Sequence, residues 1–216
     1  MFKLDWDQDG EKFYEYGVDR GVLYPQVGGA YTNGEAWSGL REVNLSPSGA
    51  EPTALWANNR KYGNLYSEEE LSFTIGAYTF PDGFYKCLGF ANLAAGVRIA
   101  QQKRTAFGFS YRNNIGSDAD STDYKLHLIY GAMASPSEDS NSTVNDSPEA
   151  KEMSWECSTT PVNVTGFKPT AHIEIDTRTV DAEKLAALEA ILYGSGETEA
   201  RLPLPDEVAQ IIGEAA

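Results

Sequence analysis

Over residues 71–77 the chain alternates without a break: Leu71, Phe73, Ile75 and Ala77 fall on one parity, Ser72, Thr74 and Gly76 on the other. A period of two marks a β-strand with one buried face, because successive side chains leave opposite sides of the pleat. The pattern recurs along the chain. Phe107, Phe109 and Tyr111 alternate with Gly108 and Ser110, and Tyr124, Leu126, Leu128 and Tyr130 with Lys125 and His127. Met153, Trp155 and Cys157 oppose Ser154, Glu156 and Ser158, while Ala171, Ile173 and Ile175 oppose His172, Glu174 and Asp176, so each of these strands should have one wet face. Residues 113–123 and 134–148, rich in Gly, Asp, Asn, Ser and Pro, read as loops between strands. With 12 Tyr, 9 Phe and 20 Gly, the chain is predicted to be mainly β (α+β), a sandwich or barrel.

Two segments depart from that period. Residues 44–65 read as a long loop, punctuated by Pro47, Gly49 and Pro52, yet they carry Leu55, Trp56, Tyr62 and Leu65. That is too apolar for a linker and too long for an ordinary hairpin loop, so the segment is expected to bind a surface. Residues 181–193 read as a helix with Asp181 or Thr179 as N-cap, Glu183 in the first turn and Gly194 as the stop. Its stripe of Leu185, Leu188, Ile191 and Leu192 needs one partner surface, which places the helix across a face of the sheet. A length of 216 residues suits a single domain, taken as 1–195. Residues 196–216 are a C-terminal extension or arm that either docks on a neighbour or frays.

The net charge of −15 disfavours a protein that grips nucleic acid from outside, since that work needs cations to displace counterions from phosphate. Acidity suits DNA that must slide past without sticking, and it equally suits a surface that is merely soluble. The start, MFKLDWDQDGEKF, is charged where a signal peptide is apolar, and no apolar run is long enough to span a bilayer, so the chain is expected in the cytoplasm without membrane insertion. Cys87 and Cys157 are expected as bland thiols. His127 and His172 stand at polar-parity positions and read as surface histidines. No zinc spacing or phosphate loop appears, and the Asp118, Asp120, Asp123 triplet lacks the glycine and distal glutamate of a calcium loop. No catalytic residue, cofactor or metal ligand is assigned.

Several short stretches carry a family resemblance: YGVDRGVLYP from Tyr16, AWSGL from Ala36, PSGAEPT from Pro47, FGFSYR from Phe107, KLHLIYG from Lys125, TVNDSPE from Thr143 and EKLAALE from Glu183. In number and order they resemble the major tail protein, or tail tube protein, of long-tailed, non-contractile phages of Gram-positive bacteria. The resemblance spans roughly residues 10–195 and implies a tail-tube-type β-sandwich or barrel with one packed helix and a long inter-ring loop at 44–65. It implies a non-enzymatic virion component that self-assembles edge to edge into rings, typically hexamers, which stack into a tube for genome ejection. Expected partners are its own copies, a tape-measure protein, a tail tip and a tail terminator, with DNA only as passing cargo. The expected location is the virion tail, and the host cytoplasm during assembly. On this reading Leu55, Trp56, Tyr62 and Leu65 anchor one ring to the next; the alternative is that they fold back on their own core.

Charge is unevenly placed. Residues 97–112 hold Arg98, Lys103, Arg104 and Arg112 without an acid, whereas 117–156 hold nine acids, among them Asp118, Asp120 and Asp123, against Lys125 and Lys151. Facing each other between copies, these blocks would set subunit register; otherwise each is a solvated face. A rival function is a carbohydrate-binding β-sandwich module with Trp6, Trp37 or Trp56 as stacking platforms.

Overall fold

The computed structural model describes residues 4–8, 12–117, 123–143, 146, 149–196 and 198–213. In chain order its strands are β1 (Phe13–Val27), β2 (Ala30–Tyr31), β3 (Glu35–Trp37), β4 (Leu40–Gly49), β5 (Pro52–Ala57), β6 (Arg60–Tyr66) and β7 (Glu69–Ala77). A short helix α1 (Phe84–Cys87) precedes β8 (Ala91–Ala94), β9 (Val97–Ile99), β10 (Phe107–Ser117), β11 (Tyr124–Ala134), β12 (Met153–Ser158) and β13 (His172–Asp176). Helices α2 (Ala182–Tyr193) and α3 (Pro205–Ile212) end the chain. The result is the mainly β architecture with a packed helix that the alternation predicts.

The sheet path runs β2-β1-β10-β11-β12-β7-β4, with β3 on β1 and β13 on β11. β11 serves two sheets. Its residues 125–129 pair with β13, whereas Met133 and Ala134 pair with β12. Between them Gly131 sits at φ +60, and a Cβ there would strike the Thr160 carbonyl oxygen, so only glycine fits. Its N–H donates to the Tyr31 hydroxyl at 2.9 Å and its carbonyl accepts from Thr160 N–H at 3.0 Å. This pinned kink turns the path so that the β12-β7-β4 part folds over the β1-β10-β11 part. Leu23, Phe73, Ile75, Phe109, Ile129 and Trp155 meet between the two. Trp37 joins them, its ring 4.7 Å from Phe84, 5.5 Å from Phe109 and 5.8 Å from Trp155.

The opposite face of β1, β10 and β11 is also buried. Val22, Tyr24, Leu126, Leu128 and Tyr130 pack on Leu188, Leu192, Leu202 and Val208 of the C-terminal region. The expectation of a wet face holds for β12, where Ser154, Glu156 and Ser158 are exposed. On β10 the Gly108 and Ser110 parity is covered instead. Gly108 leaves room for Leu202, and buried Ser110 shares a 3.1 Å hydrogen bond with the Tyr24 hydroxyl. That hydroxyl donates at 2.8 Å to the Leu192 carbonyl, tying α2 to the sheet.

α2 starts where its cap dictates: the Asp181 carboxylate accepts from the N–H groups of Glu183 and Lys184 at 3.0 and 3.3 Å, and Gly194 ends the helix at φ +78. Residues 198–213, expected as an extension or arm, lie against their own subunit. Leu202 bridges Tyr31, the Tyr130 hydroxyl donates to the Pro203 carbonyl at 3.0 Å, and Val208 is buried. The helical period of 205–212 is short, and the residues that dock it lie far away in sequence.

The expected long loop at 44–65 is not a loop. Its first part is β4, paired with β7 through Gly49↔Glu69. The rest is the hairpin β5-β6, turned by Asn58 and Asn59 at φ +49 and +61, the geometry of a type I′ connection. Pro47 suggested a break, but β4 has β7 on one side only, and an edge strand tolerates a residue without an N–H.

Candidate assembly surface

β5 and β6 form a two-stranded sheet of their own. Every residue of β5 is exposed, and in β6 all but Gly63 are. Directly opposed residues share a face, so the Thr53↔Leu65 and Leu55↔Gly63 pairs put Leu55 and Leu65 on one side of the ribbon. The Pro52↔Tyr66 and Trp56↔Lys61 pairs put Trp56 and Tyr66 on the other. Trp56 is 69% exposed and Tyr62 80%. Both faces of the hairpin are therefore apolar and wet. An isolated two-stranded ribbon is marginal in water, and a contiguous exposed apolar patch marks an interaction site. The four anchor residues expected from the sequence are thus gathered on one projecting element. They do not fold back into the core, and Tyr66 joins them. Asn58-Asn59, residue types that tolerate a positive φ, was the available signal for this hairpin.

Arg60 and Lys61 are the only charges between Glu51 and Glu68. The tip is thus doubly cationic on a chain of net charge −15.

Among the described residues β13 has a strand on one side only, and two further edges are open. β4 ends the strand order, and β1 is paired on its second edge only at residues 21–23 with β3 and at 26–27 with β2. The start of β1, paired with β10 on one side and free on the other, carries exposed Phe13, Tyr14 and Tyr16. Unpaired ladders of this kind accept another strand.

Of the four basic residues expected to set subunit register, Arg104 and Arg112 are held within the chain, whereas Arg98 and Lys103 are exposed. Arg112, 12% exposed, is held within the chain: Nε donates to Asp19 at 2.9 Å, Glu189 lies 3.9 Å away, and the guanidinium covers Tyr124 at 4.2 Å. Arg104 donates to the Ala134 carbonyl. Arg98 lies 3.8 Å over the Tyr85 ring and pairs with Asp82 at 3.2 Å. Lys103 is exposed. Asp118 and Asp120 lie outside the described residues, and the Asp123 backbone carbonyl accepts from Ile115 N–H at 2.8 Å.

Other residues singled out in the sequence prove internal. His127 is 4% exposed and lies between the rings of Tyr111 and His172, with centroids 4.6 and 5.2 Å away. Its Nδ1 shares a 3.0 Å hydrogen bond with His172 Nε2, and its Nε2 has no partner. It is not a surface histidine, because β13 and its neighbours close over that parity. Burial first, then the neighbouring His172, hold its pKa down at about 4. Trp37 donates its indole N–H to the Thr79 carbonyl at 2.9 Å inside the core and offers no platform to a sugar. Cys87 and Cys157 are buried thiols pushed up to about 12 by burial.

No family model matches this sequence, and no curated protein matches it either. The class is therefore defined by the fold alone: an antiparallel β-sandwich with helices on the outer face of one sheet and an apolar hairpin projecting from the other.

Proposed function

We propose that this chain is a structural, non-enzymatic subunit that self-assembles into stacked rings, typically hexameric, forming a phage tail tube through which the genome passes. The observation that carries the reading is the β5-β6 hairpin, apolar on both faces and detached from the body of its own subunit. A free monomer has no use for such an element, whereas a stacked neighbour buries it. Open ladders on β4 and β1 supply edges for lateral pairing, and the acidity suits a wall past which DNA slides. The sequence resemblance adds the tape-measure protein, tail tip and tail terminator as partners.

Negative-stain electron microscopy and light scattering across a concentration series test this. Rings or hollow filaments with a lumen wide enough for duplex DNA are expected. A strict monomer at every concentration that also binds glycans through the exposed Trp56 or Trp6 would replace the reading with a carbohydrate-binding module.

A further inference from the structure

The β5-β6 hairpin is polarised in charge along its length. Arg60 and Lys61 stand at its tip, and Glu51, Glu68, Glu69 and Glu70 at its root. All six residues are exposed, and among the described residues none of them has an ion-pair partner. Pro52 to Ala57 is five steps of an extended strand, about 17 Å, which separates the tip of one hairpin from its own root. At physiological salt the attraction between exposed charges fades beyond about 8 Å, so the two ends do not neutralise each other. Both sets of charges are left for another chain.

One face of the ribbon is ordered in the same sense. Pro52↔Tyr66 lies at its root, Ala54↔Asn64 in the middle and Trp56↔Lys61 near the tip. Turned end for end about the middle pair, this face is complementary to itself. Trp56 of one copy then lies over Pro52 of the second, beside Tyr66, and Lys61 covers the Tyr66 ring as a cation over an aromatic face. Ala54 meets its own counterpart at the crossing, where its small side chain lets the ribbons approach to the spacing of facing sheets, about 10 Å. Each tip ends at the other root, so Arg60 and Lys61 of one copy reach Glu51 and Glu68 of the second. A two-fold axis makes every one of these contacts twice.

We propose that, before any stacking, two copies of this chain pair through their β5-β6 hairpins, face to face and antiparallel, each cationic tip on the other's acidic root. The pair goes beyond the tube reading and does not depend on it. A two-fold contact closes on itself and cannot extend along a tube, so the pair is the form in which the free subunit covers its hairpin, and stacking requires its release. One ribbon face makes a small contact, in the class below about 1,200 Å² that associates reversibly, which suits an element used again.

The test is sedimentation velocity of the full-length protein at concentrations too low for stacking, with circular dichroism as the folding control. A monomer–dimer equilibrium that shifts toward monomer as salt is raised is expected. Arg60→Glu/Lys61→Glu and, separately, Glu51→Lys/Glu68→Lys should each weaken the dimer about tenfold or more. Mixed one to one, the two variants should pair with each other at close to the wild-type affinity, because each tip then faces a root of opposite charge. Ala54→Cys, in a chain whose two native thiols are buried, should be joined to its own copy by a short bismaleimide. A wild-type chain that stays monomeric at low salt, species that grow past the dimer, no recovery on mixing, or no crosslink at residue 54 would each overturn the pairing. Tubes at high concentration from a protein without a dimer would overturn the pairing alone, and a dimer that never yields rings or tubes would overturn the tube reading alone.

Discussion

Replacing Trp56 and Leu55 together by alanine separates folding from assembly more cleanly than any other change in this chain. Trp56 is 69% and Leu55 44% exposed, so neither contributes much to the monomer, whose stability should change by no more than about 0.5 kcal/mol. In a stacked assembly the exposed part of the tryptophan, roughly 150 Å² of a side chain this large, leaves water. At about 25 cal/mol per Å² that is worth about 4 kcal/mol, and the leucine adds about 1. Ordering the two side chains costs about 1 kcal/mol in return. The net loss of about 4 kcal/mol per contact corresponds to roughly a thousandfold rise in the concentration needed to stack. Thermal melting of the dilute monomer and sedimentation of the concentrated protein read the two quantities independently. Unchanged melting with stacking abolished is the expected result. Normal tubes would move the interface elsewhere, and a melting point lowered by many degrees would mean that the hairpin supports its own subunit after all.

Three further outcomes follow from the body of the fold. Truncation after Gly196 should leave the chain unable to fold cooperatively, since it strips Leu202 and Val208 from the sheet face they bury; loss of the near-ultraviolet circular dichroism signal is the readout. Gly131→Ala should cost about 3 kcal/mol or more in urea unfolding, because it combines a positive φ with a clash against the Thr160 carbonyl. Stability should also fall with acid. His127 is held neutral at a pKa of about 4 against 6.5 in the unfolded chain, so between those values the unfolded state binds the extra proton and up to about 3 kcal/mol is lost as pH falls from 6.5 to 4. Glu15 on β1 and Glu174 on β13 oppose that depression, while His172 and Lys125 reinforce it, with Tyr111 stacked on the ring. His127→Gln should flatten the pH dependence in that window, and an unchanged slope would place the titration elsewhere.

Strand identity was legible in this chain because the alternation is local: the periods at 71–77, 107–111, 124–130 and 153–158 each lie within an observed strand. The helix was legible for the same reason, its cap and stop being written beside it at Asp181 and Gly194. What the pattern could not show is what covers each face. Ser110 and His127 look like solvent positions on their strands, and they are buried because distant elements, α2, α3 and β13, come to lie over them. The hairpin was hidden by its punctuation. Pro47, Gly49 and Pro52 weigh toward a loop in any local reading, and only the edge position of β4 makes a proline there compatible with pairing. The anchor residues themselves were visible because an apolar cluster among breakers has no local explanation. The aromatic cluster of Phe80, Tyr85, Phe90 and Trp155 was not visible, since these residues come together only through the β7↔β12 register and the fold of α1.

A tube wall imposes a geometric demand on its subunit that a single ring or a single filament does not. A ring needs one contact repeated around an axis, and a filament needs one repeated along it; a wall needs both, in non-parallel directions. The open ladders of β4 and β1 offer hydrogen bonds perpendicular to their strands, whereas the hairpin leaves from the Gly49↔Glu69 end of the β4-β7 pair. The two kinds of contact therefore leave the body in different directions. That body is suited to hold them at fixed angles, because its central strands are clamped on both faces and its turning point at Gly131 is pinned by Tyr31 and Thr160. Weakening one contact should then leave the other in place. Hairpin variants should accumulate as unstacked rings, because the lateral ladder that closes a ring is left untouched.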